Sequence, residues 1–274
     1  MSTGSAAAAT ALVAAFRSGD GVGAPGAWEL DRDAIADRLE ELVVDPTRIR
    51  QGRLNLCGPA AVMSIWFTRD PAGAVQYATE LFDRGQVTMG DLTVIASGGL
   101  RRLPYRLVES ARGCPQADWM MMAALRDSTN RLLRYQRPAG PREAAAAITL
   151  PSAMRTWLIA TGVVSAVRDE TSLVWRKGLA HAATLSPAPD RELLLLVAQE
   201  MFGRPPSWHR RIRDRVVSLV PNHWVVLRSP VEVGEESVRF TFWSWGALRQ
   251  ATLPRVLFDR CYYGCLAAQV VSDG

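Results

Sequence analysis

The hydrophobic period changes once along this chain, and that change constrains the fold more than any other feature. Up to about residue 203 the apolar residues recur mainly at helical spacing. After Arg213 they fall in short β-branched or aromatic runs separated by turn residues. Helices are expected over 33–43, 72–82, 89–96, 117–133, 143–162 and 192–202, and strands over 216–220, 224–227, 237–243 and 261–271. In the first helix Ile35, Leu39 and Leu42 share one stripe, acids sit near the start, and Pro46 ends it. Helices first and strands last is an α+β arrangement rather than a parallel-sheet fold. Segments 137–142 and 186–190 read as loops. Pro205 and Pro206 give the one hint of a division, between a helical lobe about 31–205 and a β-rich lobe about 206–274 of a single two-lobed domain. Residues 1–30 are rich in Ala, Ser and Gly, are broken by Gly21, Gly23, Pro25 and Gly26, and read as a flexible leader.

Composition removes several classes of function. A chain of 274 residues with 48% hydrophobic and 22% charged residues can bury a sizeable core, which excludes general disorder. The uncharged apolar run at residues 6–16 is mostly alanine and too short to span a membrane. No basic residue precedes it, so it makes a poor signal peptide, and the expected location is cytoplasmic or reached by export without a cleavable signal. The formal charge is +5, and Lys177 is the one lysine among 32 basic residues. Such an excess of arginine fits a guanine-rich coding sequence as well as it fits a function. The dense basic run Trp208-His209-Arg210-Arg211-Ile212-Arg213-Asp214-Arg215 reads as a solvated helical face. Basic–aromatic interleaving is not repeated elsewhere, so nucleic acid is not the expected partner. His181 and His209 lack metal-ligand spacing to Cys or acidic residues, so neither a metal site nor a cofactor is expected. Gly98-Gly99 has no accompanying P-loop lysine or Rossmann spacing. Met120, Met121 and Met122 beside Trp119 read as core.

The 4 cysteines are too few for a disulfide scaffold, and position sorts them. Cys114, between Gly113 and Pro115, reads as a loop residue, and Cys261 and Cys265 read as two buried thiols on one face of a strand. Cys57 is different. It precedes Gly58-Pro59 and the helix-forming segment 60–66, with Pro59 suited to a first turn. A cysteine there sits at the positive end of a helix dipole, which favours thiolate and nucleophilic character. The alternative reading is a buried structural cysteine. Gln51, six residues upstream, could donate an amide hydrogen bond to a tetrahedral oxyanion, with the Cys57 N–H as a second donor. His223, in Asn222-His223-Trp224-Val225-Val226-Leu227, opens a strand and could serve as base.

Gln51, Cys57-Gly58, Asn222-His223 and Ser244-Trp245-Gly246, in that order, resemble the papain-like cysteine peptidases. The Cys57-Gly58-Pro59-Ala60 form is also similar to the double-glycine-leader peptidases and related bacterial members of that clan. The resemblance covers about a fifth of the chain. It implies a papain-like two-lobed fold, the helical lobe carrying Cys57 and the antiparallel β lobe carrying His223. It implies a hydrolase cleaving amide bonds of a protein or peptide substrate, which in a bacterium would suit an effector or toxin. By resemblance Gln51 is the oxyanion donor, Cys57 the nucleophile and His223 the general base and acid. By the same resemblance Trp245 is the indole that shields the histidine's partner, and Trp245, Trp243 and Gly58 are the candidate binding residues. The pattern departs at one place: Trp243 stands where the orienting asparagine belongs. Ser244, Thr241 or a backbone carbonyl could orient His223 instead, or a residue elsewhere, or the site is weakened. The alternative readings are therefore a catalytically weakened pseudoenzyme or interaction module of this fold, and an acyl-transferring or deamidating, transglutaminase-like variant. No cysteine lies near Cys57 to form a disulfide, which suits a reducing compartment.

Overall fold

The computed structural model describes residues 3–19, 27–52, 54–108, 113–129, 149–203 and 221–271. Two compact units divide it. Met1–Val163 with Trp245–Ala247 form the first, and Val164–Ser244 with Leu248–Gly274 the second. The division thus falls between Val163 and Val164, not near residue 205 as the two prolines suggest.

The first unit is mainly helical. Helix α1 (Thr3–Ser18) occupies the segment expected to be a flexible leader. Alanine is the strongest helix former, and Ala9, Val13 and Phe16 align at helical spacing and are buried. The Phe16 ring meets Phe82 edge-on at 5.2 Å, and the Arg32 guanidinium lies 4.4 Å from the Phe16 ring centre. Gly19 stops the helix in the left-handed conformation, at φ 77°. Helix α2 (Arg32–Val44) is capped by Asp31, whose carboxylate accepts from the Ala34 N–H at 2.9 Å, and it buries the Ile35, Leu39 and Leu42 stripe. Helix α3 (Cys57–Arg69) is buried from Cys57 to Phe67. Helix α4 (Pro71–Arg84) starts on the Asp70 cap and Pro71 and ends at left-handed Gly85.

Residues 89–96, expected as a helix, belong instead to the hairpin of strands β1 (Gln86–Met89) and β2 (Leu92–Ile95), turned at Gly90 with φ 54°. A short helix α5 (Gly98–Arg101) leads towards α6 (Gln116–Thr129), whose residues from Ala117 to Asp127 are all buried. Helix α7 (Pro151–Ala160) completes the unit. The loop expected over 137–142, the basic run 208–215 with His209, and the strand expected over 216–220 lie outside the described residues.

The second unit is an antiparallel sheet with short helices: β3 (Val164–Asp169), α8 (Gly178–Ala182), β4 (Arg191–Val197), β5 (His223–Leu227), β6 (Glu232–Val233), β7 (Ser237–Ser244), β8 (Ala247–Pro254), α9 (Arg255–Cys261) and β9 (Tyr262–Val270). The strand order is β3-β9-β4-β5-β7-β6, with β8 paired to β7. Helical spacing is expected over 192–202, yet Arg191–Val197 is a central strand. It pairs β9 on one side (Leu194 with Leu266) and β5 on the other (Leu194 with Val226), and Glu192–Val197 are all buried. A run of four leucines satisfies a helix or a strand with both faces covered equally well, and the two partner strands decide it. Cys261 ends α9 and Cys265 lies within β9, so the two do not share one strand face as expected.

Candidate functional site

Cys57 is the first residue of α3, so its sulfur sits at a helix N-terminus, as the sequence requires. It is 6% exposed. Gly58 is needed for packing: a Cβ there would lie 2.5 Å from Thr149 Oγ1 and 2.6 Å from Thr149 Cβ. Because Thr149 is itself buried, Gly58→Ala is expected to destabilise the protein by about 1–3 kcal/mol, measured by urea unfolding.

The loop before Cys57 is fixed from α6. Asp118, fully buried, receives Arg38 Nε on Oδ1 at 2.9 Å and Arg38 Nη2 on Oδ2 at 2.8 Å, and its Oδ2 also accepts the Arg50 N–H at 2.6 Å. The Cys114 thiol donates to the Arg50 carbonyl at 3.1 Å. These bonds hold the backbone next to Gln51. Gln51, buried, donates one amide N–H to the Leu54 carbonyl at 2.9 Å, while the Leu54 N–H returns to the Gln51 carbonyl at 3.1 Å. An amide has two N–H groups, and the second is the candidate oxyanion donor.

Sequence reasoning missed Arg126. It is buried on α6, one turn beyond Met122 and Ala123 on the stripe that starts at Trp119. Burial pushes its guanidinium down to about 10, and the charge on Cys57 opposes that shift. Arg126 thus stays cationic at neutral pH, and by reciprocity it favours a thiolate at Cys57. A charge on an otherwise apolar helix stripe was the signal available in the sequence.

The Ser244-Trp245-Gly246 segment turns β7 into β8. Both central residues are left-handed, Trp245 at φ 51° and Gly246 at φ 76°, the signature of a primed hairpin turn. A bulky residue there is strained. Gly246 passes so close to the Ile49 carbonyl that a Cβ would lie 3.0 Å from it. Trp245 is half-buried, whereas Trp243 is a core residue of β7, 2% exposed and opposite Val226.

In the second unit His223 opens β5, opposite Val197. Asn222 sets its start: its N–H donates to the Val197 carbonyl at 3.1 Å, and its side-chain oxygen accepts the Gln199 N–H at 2.8 Å. His223 Nε2 lies 2.8 Å from Ser244 Oγ, so the hydroxyl expected as orienter is in hydrogen-bond contact with the imidazole. Phe202 stands edge-on to the ring at 6.5 Å. Burial holds the His223 imidazole at about 3, far below its ordinary 6.5, so it is neutral at pH 7. Between those values the unfolded chain binds a proton that the folded protein excludes. Stability from this group is therefore complete above 6.5 and is lost as pH falls towards 3. The unfolding free energy of the native protein minus that of His223→Gln is expected to fall by about 1.4 kcal/mol per pH unit across that window. Parallel curves would remove the basis for a neutral, buried His223.

The remaining thiols are buried. Burial raises Cys114 well above the ordinary thiol range and raises Cys261, and burial with the Glu170 charge pushes Cys265 up to about 12. Linear spacing gives His181 no metal-ligand partners, but the fold brings ligand atoms of Glu170, His181 and Cys265 within 4.8 Å of one another. Strand pairing and the turn after β3 unite residues far apart in sequence, which linear spacing does not report.

Comparison of the chain with protein-family models, with curated proteins and with solved structures returned no match. Among the described residues no helix is long and apolar enough to cross a membrane.

Proposed function

We propose that this protein is a papain-like cysteine hydrolase of two lobes that cleaves amide bonds through an acyl-enzyme at Cys57. The observation that carries the reading is a cysteine at a helix N-terminus under the field of a buried arginine, Arg126, with a buried amide donor, Gln51, on the anchored loop before it. Cys57 sulfur attacks the carbonyl carbon, and the carbonyl π pair moves to oxygen. The Gln51 amide and the Cys57 N–H then hold the oxyanion. In this reading His223, the base and acid that the resemblance implies, takes the thiol proton as the thiolate forms and gives it to the leaving amine as the C–N bond breaks. Water, activated by His223, then hydrolyses the thioester. Ser244 orients the imidazole where the family resemblance implies asparagine.

A second reading, a weakened pseudoenzyme or interaction module, draws on the same burial of His223, because a base held near 3 accepts a proton reluctantly. Interception of the acyl-enzyme by an amine would give acyl transfer in place of hydrolysis. One experiment separates these. Native protein and Cys57→Ala are incubated with a bacterial proteome and with peptidoglycan, and new termini, released amines and new isopeptide bonds are measured. Cys57-dependent new termini or released amines support the hydrolase, and Cys57-dependent isopeptide bonds support acyl transfer. Identical product patterns from the two proteins leave the module reading.

A further inference from the structure

We propose that Glu170, His181 and Cys265 form a binding site for a zinc-class divalent cation, with Tyr262 as its supporting residue. The site lies wholly in the second unit and is independent of the chemistry proposed for Cys57.

Glu170 Oε2 lies 3.4 Å from His181 Nε2 and 3.8 Å from Cys265 Sγ. Zinc bonds of about 2.0–2.3 Å in tetrahedral geometry separate adjacent ligand atoms by about 3.3–3.8 Å. Both separations fit that edge, and all three ligand atoms lie within 4.8 Å of one another. The three donors also fit the ion: thiolate and imidazole select zinc-class metals over magnesium or calcium, which prefer oxygen alone. Thiolate and carboxylate together would neutralise a divalent charge. Arg168 engages the other carboxylate oxygen, Oε1, at 2.8 Å, which leaves Oε2 as a single ligand atom.

Each ligand is held by backbone or by a neighbouring side chain. The Glu170 N–H donates to the Cys265 carbonyl at 2.9 Å, which fixes the chain leaving β3 against β9. Gly264, at φ 113°, permits this approach, since a Cβ there would collide with the Glu170 carbonyl. His181 Nδ1 lies 2.8 Å from the Tyr262 hydroxyl, and the two rings stack 5.8 Å apart at 26°. With the Nδ1 proton directed to Tyr262, Nε2 presents its lone pair to the cluster, the arrangement that metal-binding histidines use. The His181 and Glu170 side chains are 23% and 26% exposed, so solvent reaches the cluster and water can fill a fourth position. Cation binding replaces the Cys265 thiol to Glu170 hydrogen bond with two metal–ligand bonds and releases the thiol proton to solvent.

The test is titration of the reduced, chelator-treated full chain with Co2+, read by tetrahedral d–d absorption and thiolate-to-cobalt charge transfer, followed by displacement with Zn2+. One equivalent is expected to bind with both signatures and to be displaced by zinc. Cys57→Ala and His223→Gln are expected to bind as the native protein does. Cys265→Ala is expected to lose the charge-transfer band. His181→Ala, at a half-buried position that should fold normally, is expected to weaken binding at least about a hundredfold, and Tyr262→Phe about 10- to 100-fold. Absence of stoichiometric binding would overturn the assignment. So would a charge-transfer band that survives Cys265→Ala, or unchanged affinity in His181→Ala.

Discussion

Iodoacetamide at mildly acidic pH, with a chelator present, is expected to alkylate Cys57 at least about tenfold faster than Cys114, Cys261 or Cys265. The attacking species is the thiolate, and its fraction falls tenfold for each unit by which a thiol is raised. Burial raises the other three, and acidic charge adds to it: Asp118 at Cys114, Glu200 at Cys261 and Glu170 at Cys265. Cys57 has the N-terminus of α3 and the Arg126 cation in its favour. Arg126→Met keeps most of the buried volume and removes the charge, and it should slow Cys57 labelling by roughly tenfold while leaving the other thiols unchanged. Peptide mapping by mass spectrometry reads both rates. Equal, slow labelling of all four thiols would defeat the nucleophile assignment, and an Arg126→Met rate equal to the native rate would remove Arg126 from it.

Asp118→Ala is expected to cost about 3 kcal/mol of stability, because it removes the buried, two-point partner of the Arg38 guanidinium and leaves that cation only the half-exposed Glu41 and the Arg48 carbonyl. In a chain of this size that lowers the melting temperature by about 10 °C. It also removes the acceptor of the Arg50 N–H and so loosens the loop that carries Gln51. The loss should come mainly from the buried hydrogen bonds left unmade on Arg38, not from the net worth of the pair. Burial holds Asp118 above the usual carboxylate range despite Arg38 and the Arg50 N–H. The folded protein therefore binds that proton more tightly than the unfolded chain, and stability from this group is lost as pH rises through its raised value. Replacing both partners, as Asp118→Leu with Arg38→Met, should accordingly recover much of the loss. Denaturant midpoints decide this: a single-variant cost below about 1 kcal/mol, or no recovery in the double variant, refutes it.

Segments with an unambiguous period are legible in the amino-acid order. The 33–43 and 72–82 helices and the 224–227 and 237–243 strands stand where periodicity, caps and turns put them. The segment heading α3 with Cys57 and the strand opening with His223 are legible for the same reason, since Pro59 and Asn222 mark the starts. Composition misleads where it is weighed above propensity. The alanine-rich start of the chain has the composition of a leader, but it carries a buried Ala9-Val13-Phe16 stripe and forms α1.

By itself the sequence determined what depends on neighbours within a few residues: helix starts, turn positions and the face each apolar stripe presents. The tertiary structure alone decided which of two local options a leucine run takes and which charges meet. Arg50 and Asp118 are 68 positions apart, His181 and Tyr262 81, and Glu170 and Cys265 95. The physical reason is that local periodicity fixes which way a side chain points, whereas burial and electrostatics act between groups that only chain folding brings within a few ångströms.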